Sequence, residues 1–208
     1  MRWRTDVENN IDLGEALRKN RLDYVAQVHV KYNENTKCTI GQFGITPVVM
    51  VRNIFDCVVS FRDHLRREAH PWPFARFSEE HLALPDSELE SMIAHLVIPW
   101  YIDFYVSWQA CPNALWVVYR DMIQDVEGTL LRIGEHAGLR LARPDIQRIV
   151  SEVNPYEARK NIGVTGRGEG LTDETKTLLA TYRRFYPEVN FSLIGMDEQG
   201  RSTRAGPS

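Results

Sequence analysis

The sequence predicts an α/β fold built on a parallel sheet, and three observations predict it. Two runs, Pro47-Val48-Val49-Met50-Val51 and Ala114-Leu115-Trp116-Val117-Val118-Tyr119, are apolar without alternation, as strands buried on both faces are. A third, Tyr24-Val25-Ala26-Gln27-Val28-His29-Val30, is rich in β-branched residues and alternates. Helical spacing fills the intervals between them, and strands alternating with helices imply parallel pairing.

The elements follow in order. Residues 11–20 read as a short helix, with Leu13, Ala16 and Leu17 on one face. The strand over 24–30 ends near His29, and Gly41 and Gly44 punctuate a turn. The strand over 47–51 stops at Arg52-Asn53, and a helix is expected from Ile54 to Arg67. Asn53 is its natural N-cap, and Asp56 in the first turn suits the positive end of the helix dipole. The prolines of His70-Pro71-Trp72-Pro73-Phe74 make that segment a loop. Helical spacing resumes over 87–109, with Pro99 kinking or dividing the helix. After the strand at 114–119, helices fit 123–137 and 144–152, the second with Pro144 in its first turn. Residues 159–170 form a loop with glycines at 163, 166, 168 and 170, and a last helix spans 172–186.

The chain of 208 residues, 43% hydrophobic and 25% charged, has the composition of one globular domain. That domain is expected over 1–198, with 1–24 an atypical polar segment and 199–208 a disordered tail. A net charge of −3 argues against a general nucleic-acid binder, so any anion site must be local. Three cysteines without short spacing exclude a disulfide framework and a four-cysteine zinc site. No histidine spacing points to a metal, and no apolar run is long enough to span a membrane. With no secretory signal at the N-terminus, the expected place is the cytoplasm.

In parallel α/β sheets, ligands bind beyond the carboxyl ends of the strands. Those ends carry His29, Arg52-Asn53 and Tyr119-Arg120-Asp121. An arginine leaving a buried strand beside a helix N-terminus, with Ser60 farther along that helix, makes a phosphate site. The other reading pairs Arg52 with a carboxylate such as Asp56 and leaves Ser60 a small helix residue.

From Val48 to Ser60 the sequence resembles the 3′-phosphate-binding segment of the sulfotransferases, an apolar strand followed by Arg-(Asn/Asp)-Pro-x-Asp-x-x-x-Ser. Arg52, Asp56 and Ser60 match, and Ile54 replaces the usual proline. Trp116 to Met122 resembles the family's strand ending in Tyr-Glu-Asp-(Leu/Met), with Arg120 in place of the glutamate. Leu130 to Leu139 resembles the helix that ends in Phe-Leu-Gly. The order is the family's, and the resemblance covers most of 25–186.

The resemblance implies a three-layer sandwich of the P-loop NTPase-like sulfotransferase type. It also implies 3′-phosphoadenylyl sulfate as co-substrate and transfer of its sulfuryl group to a hydroxyl or amine, without a metal. Arg52 and Ser60 would hold the 3′-phosphate, and Tyr119 would lie near the adenine. The family's Arg-Lys-Gly-x-x-Gly loop finds its glycine spacing in Gly163 and Gly166, with Arg159 and Lys160 displaced by two residues and Arg167 following. His29 stands where the family carries a catalytic histidine, and a neutral imidazole suits the role of base. As a lone histidine at a strand end, it equally fits a structural role. Trp72, Phe74, Phe77, Trp100, Tyr101, Phe104 and Tyr105 would line an acceptor pocket or fill the core.

One family feature is missing. No segment before His29 resembles Pro-Lys-Ser-Gly-Thr-Thr-Trp, the loop that cradles the 5′-phosphosulfate, and no P-loop kinase motif is present. The fold is therefore expected to be N-terminally incomplete. Loss of the strand before that loop would leave backbone groups unpaired, open the core, and expose an edge that promotes homo-oligomers. Two functions stay open: a sulfotransferase, or a nucleotide-binding domain that keeps only the 3′-phosphate subsite.

Overall fold

The computed structural model describes residues 11, 13–20, 22, 24–67, 75–152 and 164–196. The first helices are the short α1 (Leu13–Lys19) and α2 (Glu34–Phe43). The first strand is β1 (Val48–Val51), followed by α3 (Ile54–Arg67), α4 (Glu79–Leu82), α5 (Asp86–Leu96) and α6 (Ile98–Trp108). The second strand is β2 (Leu115–Val118), followed by α7 (Tyr119–Gln124), α8 (Val126–His136) and α9 (Arg143–Glu152). A 3-10 turn at Arg167–Gly170 precedes α10 (Asp173–Thr181), and two further 3-10 turns follow at Tyr182–Phe185 and Ser192–Ile194.

β1 and β2 pair in parallel, with Val48 opposite Leu115 and Val51 opposite Val118. They are the only strand pair among the described residues. One expectation is corrected: β1 is not buried on both faces, since Val49 and Val51 are buried while Val48 and Met50, on the opposite face, are 38% and 49% exposed. Successive side chains of a strand point to opposite faces, and only one of these packs on the core.

The strand expected over 24–30 does not form. The segment takes no regular structure and has no ladder partner, Val25 is 89% exposed, and only Val30 is buried. A β-branched run becomes a strand only when a neighbour accepts it, because strand preference is mostly packing. Here α6 holds the segment instead: Trp108 Nε1 donates to the Val30 carbonyl at 2.9 Å, and Ser107 Oγ accepts from Tyr32 N at 3.1 Å.

Where a turn was expected, α2 forms between two caps. Asn33 Oδ1 accepts from Thr36 N at 2.9 Å, and Gly44 ends the helix at φ 59°, a left-handed conformation that glycine adopts without a Cβ penalty. α3 keeps its expected span, burying Ile54, Phe55, Val58, Val59, Phe61 and Leu65. The long helix over 87–109 is divided at Val97, so that Pro99 falls in the first turn of α6, where its missing N–H is no loss.

The core lies between α3, α5, α6 and α10. Leu89, Ile93 and Ala94 of α5 meet Ile98, Ile102 and Tyr105 of α6, with Leu179 of α10 and Phe191 closing it. Two tyrosines in this core keep polar partners: Tyr105 Oη donates to the Asn190 carbonyl and Tyr182 Oη to that of Ala94, at 2.5 and 2.9 Å. No helix among the described residues is long and apolar enough to cross a membrane.

Candidate functional site

The sheet register brings two site residues together. Val51 and Val118 are partners, so Arg52 and Tyr119 leave the carboxyl edge side by side. The Arg52 guanidinium carbon lies 4.6 Å from the centre of the Tyr119 ring. One terminal nitrogen, Nη2, donates to the Val164 carbonyl at 3.2 Å. Arg52 Nε is buried and has no hydrogen-bond partner among the described residues. A buried guanidinium donor without an acceptor costs about 1–3 kcal/mol, more because the group is charged.

Asp56 does not neutralise Arg52. Its carboxylate is 2% exposed and accepts backbone donors instead, Gly166 N at 3.0 Å and Gly168 N at 2.8 Å. Gly168 comes so close to α3 that an added Cβ would stand 2.3 Å from Phe55 Cβ. Asn53 caps the helix as expected, its Oδ1 accepting from Phe55 N and Asp56 N at 2.9 and 3.3 Å. Ser60 is half-buried, one helical turn beyond Asp56.

A second aspartate lies farther along the same face of α3. Asp63 accepts from Arg167 Nη2 at 2.6 Å and from Arg62 Nη2 at 2.9 Å. Burial works against the Asp63 carboxylate, but the bonds from Arg167 and Arg62 outweigh it and hold its pKa below the ordinary value. Arg62 also reaches Asp86 at 2.7 Å and Glu90 at 2.5 Å, tying α3 to α5. Glu90 goes the other way: burial pushes its pKa up, and Arg62 offsets that only in part.

Arg167 is thus engaged by a carboxylate, and Gly166 by another. Arg159, Lys160 and Gly163, together with Trp72 and Phe74, lie outside the described residues. A cavity of about 40 Å³ sits between Asn53, Asp56, Gly166 and Lys176, room for a few waters and not for a nucleotide.

His29 belongs to a different cluster. Its ring stands edge-on to Trp100, centroids 6.3 Å apart at 87°, and partial burial lowers its pKa. Lys31 bonds Asp103, and its ammonium lies 5.8 Å from the same Trp100 ring. Trp100 stacks on Phe104 at 5.5 Å, whereas Tyr105 is buried against Trp116 and Phe191 as core. Phe77 packs on Phe61. The Cys57 thiol, beside Arg52, is pushed up to about 12 by burial, against the pull of the arginine, and so stays protonated at neutral pH. Among the described residues, no group of three or more His, Cys, Asp or Glu side chains is arranged to hold a metal.

The residues missed by sequence reasoning are Asp63 and the second role of Asp56. Their signal was faint: two aspartates seven residues apart, hence on one helix face, and a distant arginine between two glycines.

No protein-family model and no curated protein sequence matches this chain. Among solved structures it is similar to the crystal structure of mouse sulfotransferase SULT7A1 complexed with PAP. The TM-score is 0.57 at 18% identity, and the match covers 93% of this chain and 76% of that one. The likeness is one of fold: the chain is a mixed α/β protein with a small parallel sheet and a sulfotransferase-like architecture.

Proposed function

We propose that the chain is a sulfotransferase-type protein that binds 3′-phosphoadenylyl sulfate and passes its sulfuryl group to a hydroxyl or amine. One observation carries the reading: the buried, unpartnered Nε of Arg52, on a guanidinium that no carboxylate among the described residues neutralises. A phosphate supplies the missing acceptor, and a guanidinium fork meets it with parallel charge-assisted bonds. In this reading Arg52 and Ser60 hold the 3′-phosphate, and Tyr119 supports Arg52 from below at the adenine end. The three-layer P-loop NTPase-like arrangement and the part of Arg159, Lys160 and Gly163 in anion binding belong to the same proposal. The solved sulfotransferase of similar fold, which holds PAP, supports it.

His29 serves as base. Its neutral imidazole takes the acceptor proton as the acceptor oxygen or nitrogen bonds to sulfur. The bond from sulfur to the phosphate oxygen breaks, and adenosine 3′,5′-bisphosphate leaves with that electron pair. A second reading is nucleotide binding without transfer, in which Arg52 and Ser60 hold the 3′-phosphate and no group is passed on.

Calorimetry with adenosine 3′,5′-bisphosphate and with adenosine 5′-monophosphate tests the shared part. Tighter binding of the bisphosphate, lost in Arg52→Ala, is expected; equal binding of both nucleotides overturns it. Transfer of radiolabelled sulfate to a panel of alcohols and amines then separates the enzyme from the binding domain.

A further inference from the structure

We infer that Asp56 and Asp63 form a two-point clamp on Gly166-Arg167-Gly168 that fixes where Val164 and Arg52 stand, and that Arg167 belongs to this clamp and is not a phosphate ligand. The inference rests on the reading of Arg52 as the 3′-phosphate residue and names what positions it. The two aspartates are seven residues apart on α3, so they share a face and stand about 10 Å apart along the axis. One accepts the backbone N–H groups on either side of Arg167, and the other accepts the Arg167 side chain between them. The tripeptide is therefore held through three consecutive residues. Gly168 permits it, because any Cβ there would run into Phe55.

Val164, two residues before the clamp, holds Arg52 through its carbonyl. A neutral carbonyl is a weaker acceptor for a guanidinium than a phosphate oxygen is. The loop thus keeps Arg52 oriented while leaving a bond that an anion improves on.

Arg167 has little freedom to leave. Asp63 is 14% exposed, and its other partner, Arg62, is already shared with Asp86 and Glu90. Drawing Arg167 to a phosphate would leave Asp63 half-buried on a guanidinium claimed by three carboxylates. Breaking such a pair costs more than a surface contact returns. Arg167 is a positioning residue.

The test compares affinity for adenosine 3′,5′-bisphosphate with that for adenosine 5′-monophosphate, together with amide hydrogen exchange at Gly166 and Gly168. In Asp56→Asn one acceptor is replaced by an NH2 that faces a backbone N–H. The preference for the bisphosphate is expected to fall about 3- to 30-fold, with 5′-monophosphate binding unchanged. Asp63→Asn and Arg167→Gln should each lower the same preference, and their double variant should be no worse than either single one. A merely structural contact would weaken both nucleotides alike. If Asp63→Asn raises the preference, a freed Arg167 is acting as a ligand, and the inference is overturned. Additive losses in the double variant overturn it as well.

Amide exchange needs no ligand. Gly166 and Gly168 should be protected in the wild type and exchange faster in Asp56→Asn; unchanged exchange overturns the clamp. A wild type that shows no preference for the bisphosphate overturns the reading of Arg52 instead, and the exchange data then decide the clamp alone.

Discussion

Arg52 and Tyr119, which follow the two strands of a βαβ crossover, meet because those strands end in register: the guanidinium carbon lies over the ring, 4.6 Å from its centre. A cation over an aromatic face is worth about 0.5–2 kcal/mol, depending on how dry the contact is. The ring also blocks one side of the guanidinium, which leaves its edge for an acceptor. Tyr119→Phe keeps the face and is expected to bind adenosine 3′,5′-bisphosphate as the wild type does. Tyr119→Leu should bind it more weakly, by about 1 kcal/mol. Calorimetry on the two variants checks this, and equal affinity in both would remove the ring from the account.

Arg52 itself should matter more for binding than for folding. Its Nε is a buried donor without a partner among the described residues, and Nη2 bonds only a neutral carbonyl there. Arg52→Met keeps the length of the side chain and removes the unsatisfied donor. The gain from that removal and the loss of the ring and carbonyl contacts are of similar size. Unfolding free energy in urea should therefore stay within about 1 kcal/mol of the wild type. Bisphosphate binding should fall by about 1.5–3 kcal/mol, the worth of a hydrogen bond to a charged group. A variant that loses more than about 3 kcal/mol of stability would show Arg52 to be structural.

The parts of this fold that were legible in the sequence are those fixed by local chemistry. α3 could be placed from Asn53 to Arg67 because its cap, its apolar stripe and the strand before it all lie within twenty residues. Pro99 marked the break between α5 and α6 for the same reason, since a proline's missing N–H is tolerated only in a first turn. The strand at 24–30 failed because its pattern described a preference without a neighbour to satisfy it. α2 was hidden by Thr36, Thr39 and Gly41, poor helix formers that make a turn look reasonable. Its caps, Asn33 and Gly44, were in plain view and would have bounded it.

At the site, the division is similar. Arg52 and Tyr119 were found because each ends an apolar strand, and parallel sheets present ligands there. The bond partners of Asp56 were not legible: the glycine amides lie more than a hundred residues away in sequence. Nothing local distinguishes a carboxylate that meets Arg52 from one that meets a distant loop. The capture of Arg167 by Asp63 is hidden in the same way, and it changes what a row of cations in that loop means.

Glycine substitutions measure how tightly that loop approaches the helix. An added Cβ at Gly168 would lie 2.3 Å from Phe55 Cβ and 2.9 Å from Asp56 N, and neither can retreat without moving α3. Gly168→Ala should therefore destabilise by about 1–3 kcal/mol. Gly166 has φ +83°, and an added Cβ would meet only Glu169 Oε1 at an ordinary 3.9 Å, so Gly166→Ala carries only the backbone penalty, about 1–2 kcal/mol. Gly41, inside α2 with nothing within 4 Å, makes the control: Gly41→Ala should stabilise by about 0.5–1 kcal/mol. Thermal and urea unfolding of the three variants check the order. A Gly168→Ala protein as stable as the wild type would mean that the loop stands off the helix.

The pH dependence of sulfuryl transfer follows from His29. Partial burial beside Trp100 disfavours the imidazolium, so the pKa in the folded chain lies below 6.5. Near pH 7 the ring is neutral and competent to accept a proton. Acidification protonates it, so the rate should hold level at neutral pH and fall on the acid side, with a midpoint below 6.5. The same shift has a consequence for stability. Between the folded pKa and 6.5 the unfolded chain binds the proton first, so folding weakens as pH falls through that window. His29→Gln should abolish the acid limb of the rate profile, reduce the level rate roughly 100-fold or more, and flatten the stability profile over the same window. Rates measured from pH 5 to 8 at saturating donor decide the kinetic part, and urea titrations at the same pH values decide the other. A rate profile that His29→Gln leaves unchanged would remove His29 from the chemistry, while a flattened stability curve would still place its ring against Trp100.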